Sequence, residues 1–402
     1  MPPQPGPSKP PAPTVALSHS IMTKLKPARV FSNIIDLPPE GSAHGQKQPA
    51  LPPRQITGLS FDDRGDQLVS SADDESFRLF NCKTGKHLKT FYSKKYGVDL
   101  PRFTHKNTAI LHASTKEDDT IRYHSLHDNK YLQYFKGHKA RVVSLEMSPM
   151  DDGFLSASED LTVRLWDLRA PACRGLLNVP GVPVTAWDPN GVVFAVGVNA
   201  YSQIMLYDTG NFDKKPFISI SLVDRSLERI SFPPRPIYMT SLSFSSDGKY
   251  ILAGCSGNAH YIMDSFDGTV LAKLVGHQGL ERRSENAQPT MHPQKGISGE
   301  EVSWTPDSKF IVGGSVDGKI YTWDVSGIPP SDPAHPPAIP LAIHPISAVD
   351  GHPGAARCVR FNPRFAMMAT ASSELAMWLP EPGGDIEETA AELLGKRKAP
   401  SS

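Results

Sequence analysis

Gly137-His138, Val142-Val143-Ser144-Leu145-Glu146-Met147-Ser148-Pro149, Gly153-Phe154-Leu155-Ser156-Ala157-Ser158-Glu159-Asp160 and Leu161-Thr162-Val163-Arg164-Leu165-Trp166-Asp167 follow one another along a single stretch of the chain. Apolar residues alternate along its longer pieces, the period-two signature of short strands. Pro149, Gly153 and Asp160 stand where such strands turn. The stretch therefore reads as a run of short strands joined by tight turns.

Copies of this unit recur. With Trp166, the equivalent positions are Phe80, His124, Tyr207, Met263, Trp323 and Trp378, at successive separations of 44, 42, 41, 56, 60 and 55 residues. Each copy has an apolar lead-in, such as Leu59-Ser60-Phe61, Leu242-Ser243-Phe244 or Val359-Arg360-Phe361. The turn aspartate recurs as Asp74, Asp118 and Asp317 but is missing from the fourth, fifth and seventh copies. Gly276-His277 and Gly351-His352 repeat the opening pair. The unit resembles the WD repeat, one four-stranded blade of a propeller, with a period of about 40–45 residues. The expected architecture is all-β: a seven-bladed WD-repeat β-propeller over residues 26–380, with a Pro-rich N-terminal extension and loop insertions. That resemblance gives His138, Ser156 or Ser158, Asp160 and Trp166 a shared hydrogen-bond network, because buried polar groups need partners. A His–Asp–Ser set also occurs in hydrolases; this frame favours the structural role.

A propeller must close its ring, since open strand edges invite aggregation. Lys26-Pro27-Ala28-Arg29-Val30-Phe31 is a short β-prone stretch ahead of the first copy, and is expected to supply the outer strand of the last blade. The alternative is a tail lying on the surface. Thirteen of 38 prolines fall in residues 1–53 and eight more between Pro329 and Pro353, so the proline excess sits outside the repeats. Residues 1–25 are expected to be a disordered extension, and 34–53, 278–300 and 328–348 flexible insertions, because propeller loops are normally short. In the tail 381–402, Asp385 to Leu394 suits a short amphipathic helix stopped by Gly395. The following Lys396-Arg397-Lys398 reads as a nuclear localisation signal or a solubilising terminus.

Composition excludes several classes. No run of 18 apolar residues provides a membrane span, and the Pro-rich start does not read as a secretory signal. Cys82, Cys173, Cys255 and Cys358 stand far apart with no C-x-x-C, which argues against a zinc site or disulfide framework and fits a reducing compartment. Forty-two basic residues balance 42 acidic ones, so no direct nucleic-acid binding is expected. P-loop, dinucleotide-binding, H-E-x-x-H and G-x-S-x-G motifs are all missing. The acidic clusters Asp73-Asp74-Glu75 and Glu117-Asp118-Asp119 recur at the same turn, which is a structural role. Neither an enzyme, nor a metal, nor a cofactor is expected.

Surface remains. Thr90-Phe91-Tyr92-Ser93-Lys94-Lys95-Tyr96-Gly97-Val98-Asp99-Leu100 joins the first two copies and mixes aromatics with lysines, a composition favoured at recognition sites. A second unusual run extends from Asp118 to Tyr131. Together with Arg-Leu-Trp-Asp-Leu-Arg (164–169), Asp-Gly-Lys-Ile (317–320) and Met-Trp-Leu-Pro (377–380), these runs resemble one family. It is the WD-repeat subunit shared by the COMPASS (Set1-type) histone H3 methyltransferase complex and the mRNA cleavage and polyadenylation factor, with an animal relative in a protein phosphatase 1 complex. The resemblance, closest over residues 90–170, implies a nuclear, non-catalytic scaffold linking methylation of histone H3 lysine 4 to RNA polymerase II. It implies possible recognition of the polymerase C-terminal domain phosphorylated on serine five. Lys94, Lys95, Arg102 and Arg122 would then meet phosphate, with Tyr92 and Tyr96 packing prolines and Asp99 completing the surface. The bland reading is that these residues pack between the first two blades. A propeller adaptor of another assembly, such as a cullin-type ubiquitin ligase substrate receptor, is the alternative function.

Overall fold

The computed structural model describes residues 16–36, 54–229, 236–280, 299–337 and 339–381. These residues build seven sheets, each with four antiparallel strands. Blade 1 is Ile56–Phe61, Gln67–Ala72, Ser76–Asn81 and Lys86–Tyr92, and blade 2 is Asp99–Phe103, Ala109–Ala113, Ile121–Ser125 and Tyr131–Phe135. Blade 3 is the stretch quoted first, from Val142–Met147 to the outer strand Ala170–Asn178. Blades 4, 5, 6 and 7 begin with Pro183–Trp187, Met239–Phe244, Val302–Trp304 and Cys358–Phe361. The seven Trp-equivalent residues occupy one register: Phe80 faces Leu68, Trp166 faces Phe154, Met263 faces Ile251 and Trp378 faces Met368. All seven are buried.

The apolar core is divided into seams between neighbouring blades. Phe77, Phe91 and Ile110 fill the seam between blades 1 and 2. Phe135, Phe154 and Trp166 fill the next. Sandwiching explains why the second strands are buried on both faces, as in Gly153–Ser158, although alternation alone suggests half-burial.

The ring is closed by Leu25–Phe31, which pairs antiparallel with Leu375–Pro380 as the outer strand of blade 7. The extension expected to be disordered is ordered from residue 16 to the strand. Ser18 caps the helix His19–Thr23, its Oγ accepting from the Ile21 amide at 3.3 Å. Met22 and Leu25 enter the seam between blades 6 and 7, and this burial is what orders the segment.

The expectation of a flexible 328–348 insertion is also corrected. Leu341–Ile343 is a strand, hydrogen-bonded in parallel to Ala272–Leu274 as a fifth strand of blade 5. Ser347–Asp350 then forms the outer strand of blade 6. Ladder hydrogen bonds satisfy this backbone where loop composition suggests none. Both ends of 278–300 are anchored, by the Gln278 amide on Ser315 Oγ and by burial of Glu300. At 34–53, the Asp36 amide donates to Asp74 and Arg54 donates to the Asp36 carbonyl. Residues 1–15, 37–53, 281–298 and 382–402, with the expected C-terminal helix and basic triplet, lie outside the described residues.

Candidate partner-docking site

The repeat network comes first, because it sets the loops. Trp166 Nε1 donates to Ser156 Oγ at 2.8 Å, and His138 Nε2 lies 2.7 Å from the same oxygen. His138 Nδ1 sits 3.0 Å from Asp160 Oδ2. Burial opposes ionisation of Asp160, but Thr162, the Lys139 amide and His138 outweigh it and hold the carboxyl at about 2. Ser156 is thus the bridging hydroxyl. Ser158 stands beside it as a turn brace, accepting from the Asp160 amide and donating to the Ala140 carbonyl. Blade 7 repeats the network with changed residues: Trp378 Nε1 and His352 Nε2 converge on Thr370 Oγ1 at 2.8 and 2.7 Å. Glu374 lies 3.5 Å from His352 Nδ1, taking the place of the missing turn aspartate.

The connection from blade 1 to blade 2 is built on this frame. The Tyr96 and Gly97 amides donate to the Ser93 carbonyl, and the Thr115 and Lys116 amides both donate to the Tyr96 carbonyl. Gly97 takes φ +69° with Thr115 pressed against it, so a side chain there is excluded by conformation and by space. Glu75 accepts the Ser93 amide and pairs with Lys116. The loop is therefore latched to the turns of both blades.

Aromatic rings and cations converge on this latch. The Arg122 guanidinium lies 3.6 Å from the Tyr96 ring centre and 5.7 Å from those of Tyr131 and Tyr134. Asp118 holds the same guanidinium through two bonds of 2.8 and 2.9 Å, and Ser114 accepts a third. Tyr131 reaches back to Ser93, oxygen to oxygen, at 2.9 Å. Lys94 lies 5.0 Å over Tyr92, and Lys95 lies 5.1 Å over Tyr96. Both lysines are exposed, as are Tyr92 and Tyr134. This arrangement sets Tyr96 over the buried Arg122 guanidinium and places exposed ammonium groups over Tyr92 and Tyr96.

A family model described as the WD domain, G-beta repeat matches residues 129–167 and 292–324. WD repeat-containing protein 82 of Drosophila melanogaster is 41% identical, over 91% of this chain and 98% of its own length. The Set1 complex component swd2 of Schizosaccharomyces pombe is 37% identical over 81% of this chain and 92% of its own. The chain belongs to the Swd2 family of WD-repeat proteins. A further member, the COMPASS component SWD2 of Saccharomyces cerevisiae, is 32% identical over 81% of this chain and 90% of its own.

In this Swd2-family propeller, the residues expected to act together separate into two groups. Tyr92, Lys94, Lys95, Tyr96 and Arg122 do gather at the blade 1–2 connection. Arg122 is 2% exposed and committed to Asp118, so it orients Tyr96 rather than reaching a ligand. Asp99 is buried, bonding Arg141 at 2.8 Å and its neighbour's amide. Arg102 lies in the central channel, 10% exposed at its side chain, between Glu300 at 2.5 Å and Glu146 at 3.1 Å. The reason is strand register. Arg102 faces Leu111 on the innermost strand of its blade, and that strand lines the channel.

Three residues escaped the sequence reading. Tyr134 joins the cluster because a bulge between Tyr123 and His124 places it opposite Arg122. Tyr131 closes the run singled out in the sequence, but nothing there shows that it returns to blade 1. Glu300 is 198 residues from Arg102, and no local pattern signals their contact.

Proposed function

We propose that this chain is a non-catalytic scaffold subunit of a Set1/COMPASS-type histone H3 lysine-4 methyltransferase complex, acting in the nucleus. The observation that carries this reading is similarity over 81% of this chain to relatives named as Set1 complex and COMPASS components. Absorption of His138, Asp160 and His352 in structural networks supports a docking role over catalysis. Membership of the mRNA cleavage and polyadenylation factor, and of a protein phosphatase 1 complex, rests on the family resemblance. Recognition of the serine-five-phosphorylated polymerase C-terminal domain rests on the family resemblance alone, and with Arg102 and Arg122 already paired only Lys94 and Lys95 of the four cations named for it stay exposed. Affinity purification from nuclear extract tests the reading. Recovery of Set1-type and polyadenylation subunits supports it; recovery of cullins without them rejects it in favour of a ubiquitin ligase receptor.

A further inference from the structure

The zero net charge of the chain conceals a local imbalance. From Cys82 to Val98 there are five lysines and no acidic residue. From Asn129 to Leu145 there are three lysines, Arg141 and again no acidic residue. The two stretches carry the outer strands Lys86–Tyr92 and Tyr131–Phe135 of adjacent blades, together with the loops that follow them. They touch one another where Ser93 meets Tyr131, and Lys89 Nζ donates at 3.1 Å to the His127 carbonyl, just before the second stretch. Lys86, Lys89, Lys94, Lys95, Lys136 and Lys139 are all exposed. Glu75 and Asp118 are spent on Lys116 and Arg122, while Asp66 and Asp128 pair with Lys83 and Lys130 at the ends of the two stretches and leave the other six lysines uncompensated by them. Leu88 and Leu132, 50% and 51% exposed, interrupt the row at the bulges of the two strands.

We propose that the outer strands of blades 1 and 2 form a docking surface for an acidic, extended segment of a protein partner, rich in Asp and Glu and carrying an occasional apolar side chain. This deepens the scaffold reading and rests on it. Distribution of charge selects the occupant. A single phosphate calls for converging donors, above all an arginine fork, and the one arginine among the rings is consumed by Asp118. Here lysine point charges are spread along the outer strand of blade 1 and the loop after it, with Lys86 and Lys89 on the seven-residue strand of about 20 Å and Lys94 and Lys95 beyond it. A row of carboxylates matches that spread, while Leu88 and Leu132 supply apolar contact. Complementarity of this kind governs association rate and salt dependence.

The test uses the full chain and fluorescence anisotropy with three labelled probes of about eight units each, matched to the strand length. They are an alternating Glu/Asp peptide with one central Leu, a Ser/Pro/Tyr peptide with one phosphoserine, and oligouridylate. The acidic peptide should bind most tightly, weakening steeply with salt. Lys86→Glu/Lys94→Glu/Lys95→Glu should weaken it by about tenfold or more without changing the melting temperature. Lys214→Glu/Lys215→Glu, exposed on blade 4, should leave it unchanged. Tighter binding of the phosphopeptide or of oligouridylate overturns the proposal, as does an acidic peptide insensitive to the triple variant. If no peptide binds while the affinity purification still recovers Set1-type subunits, this surface is wrong and the scaffold reading stands.

Discussion

Glu300 Oε1 lies 2.5 Å from Arg102 Nη1, a contact spanning the channel between blades 6 and 2. The same carboxylate accepts the Leu59 amide of blade 1 at 2.6 Å and meets Arg360 of blade 7 at 3.3 Å. One side chain thus ties four blades at the ring's centre, complementing the outer closure by Leu25–Phe31. Burial disfavours its charge, but Arg102 and Arg360 outweigh that and keep its ionisation below the ordinary carboxylate range. Its contribution is therefore present above the unfolded-state value and is lost as pH falls through the folded one. Glu300→Gln takes this carboxylate from Arg360 and leaves Arg102 with Glu146 alone, and breaking such a buried pair costs about 3–5 kcal/mol. Urea unfolding should show a lower midpoint at pH 7; an unchanged midpoint would reject the keystone role.

Arg102 and Lys94/Lys95 should behave oppositely. Arg102→Gln lowers the melting temperature, because buried Glu300 loses the nearer of its two arginines and Glu146 loses its ion pair. Lys94→Glu/Lys95→Glu leaves melting unchanged and reduces recovery of partners in affinity purification. If Arg102→Gln instead melted normally and lost partners, the channel assignment would be wrong.

Ser156→Ala removes the oxygen shared by Trp166 and His138. Two buried groups then lack partners, at about 1–3 kcal/mol for each. Differential scanning calorimetry on Ser156→Ala should show the loss, and Thr370→Val in blade 7 should show one of similar size.

Deleting residues 1–32 exposes the edge of Leu375–Pro380 and empties the places of Met22 and Leu25. Melting temperature should drop sharply, and aggregation on heating should increase. A truncated chain that melts like the full one would contradict the closure.

Acid should destabilise the fold through its buried imidazoles. Burial lowers His112 to about 3 and His277 to about 4, and also lowers His124, His138, His260 and His352. An unfolded imidazole titrates near ~6.5. Between these values the unfolded chain binds more protons, so stability falls as pH drops below about 6.5, by up to ~1.4 kcal/mol per pH unit for each histidine. His105, raised by its bond to Asp63, and Glu301, pushed up to about 7 by burial, run the other way, but they are outnumbered by the six buried imidazoles. Chemical unfolding at pH 7.5, 6 and 5 should give steadily lower midpoints; a flat profile would show the histidines protonated in the fold.

How legible the site was depends on the range of its contacts. Tyr92, Lys94, Lys95 and Tyr96 lie in one loop, so a linear run of aromatics and lysines exposes them. Arg122 was visible as a charge, but its pairing to Asp118 four residues earlier turns it inward, and Tyr96 covers it. Tyr134 needed the bulge, which no composition announces. The loops misled for a related reason: Pro-rich segments around Leu341–Ile343 have little local preference for strand, and the exposed outer edge of blade 5 supplies the hydrogen bonds.

Read alone, the chain determined the blade count, the Trp-equivalent register and the closing strand. Those follow from period-two patterning and a repeat, which are local and are printed many times over. Tertiary structure decided which charges remain free. Arg102 and Arg122 look like Lys94 and Lys95 on paper, but burial makes a paired arginine cheaper than an unpaired one. Glu300 and Asp118 claim them, and the two lysines stay exposed.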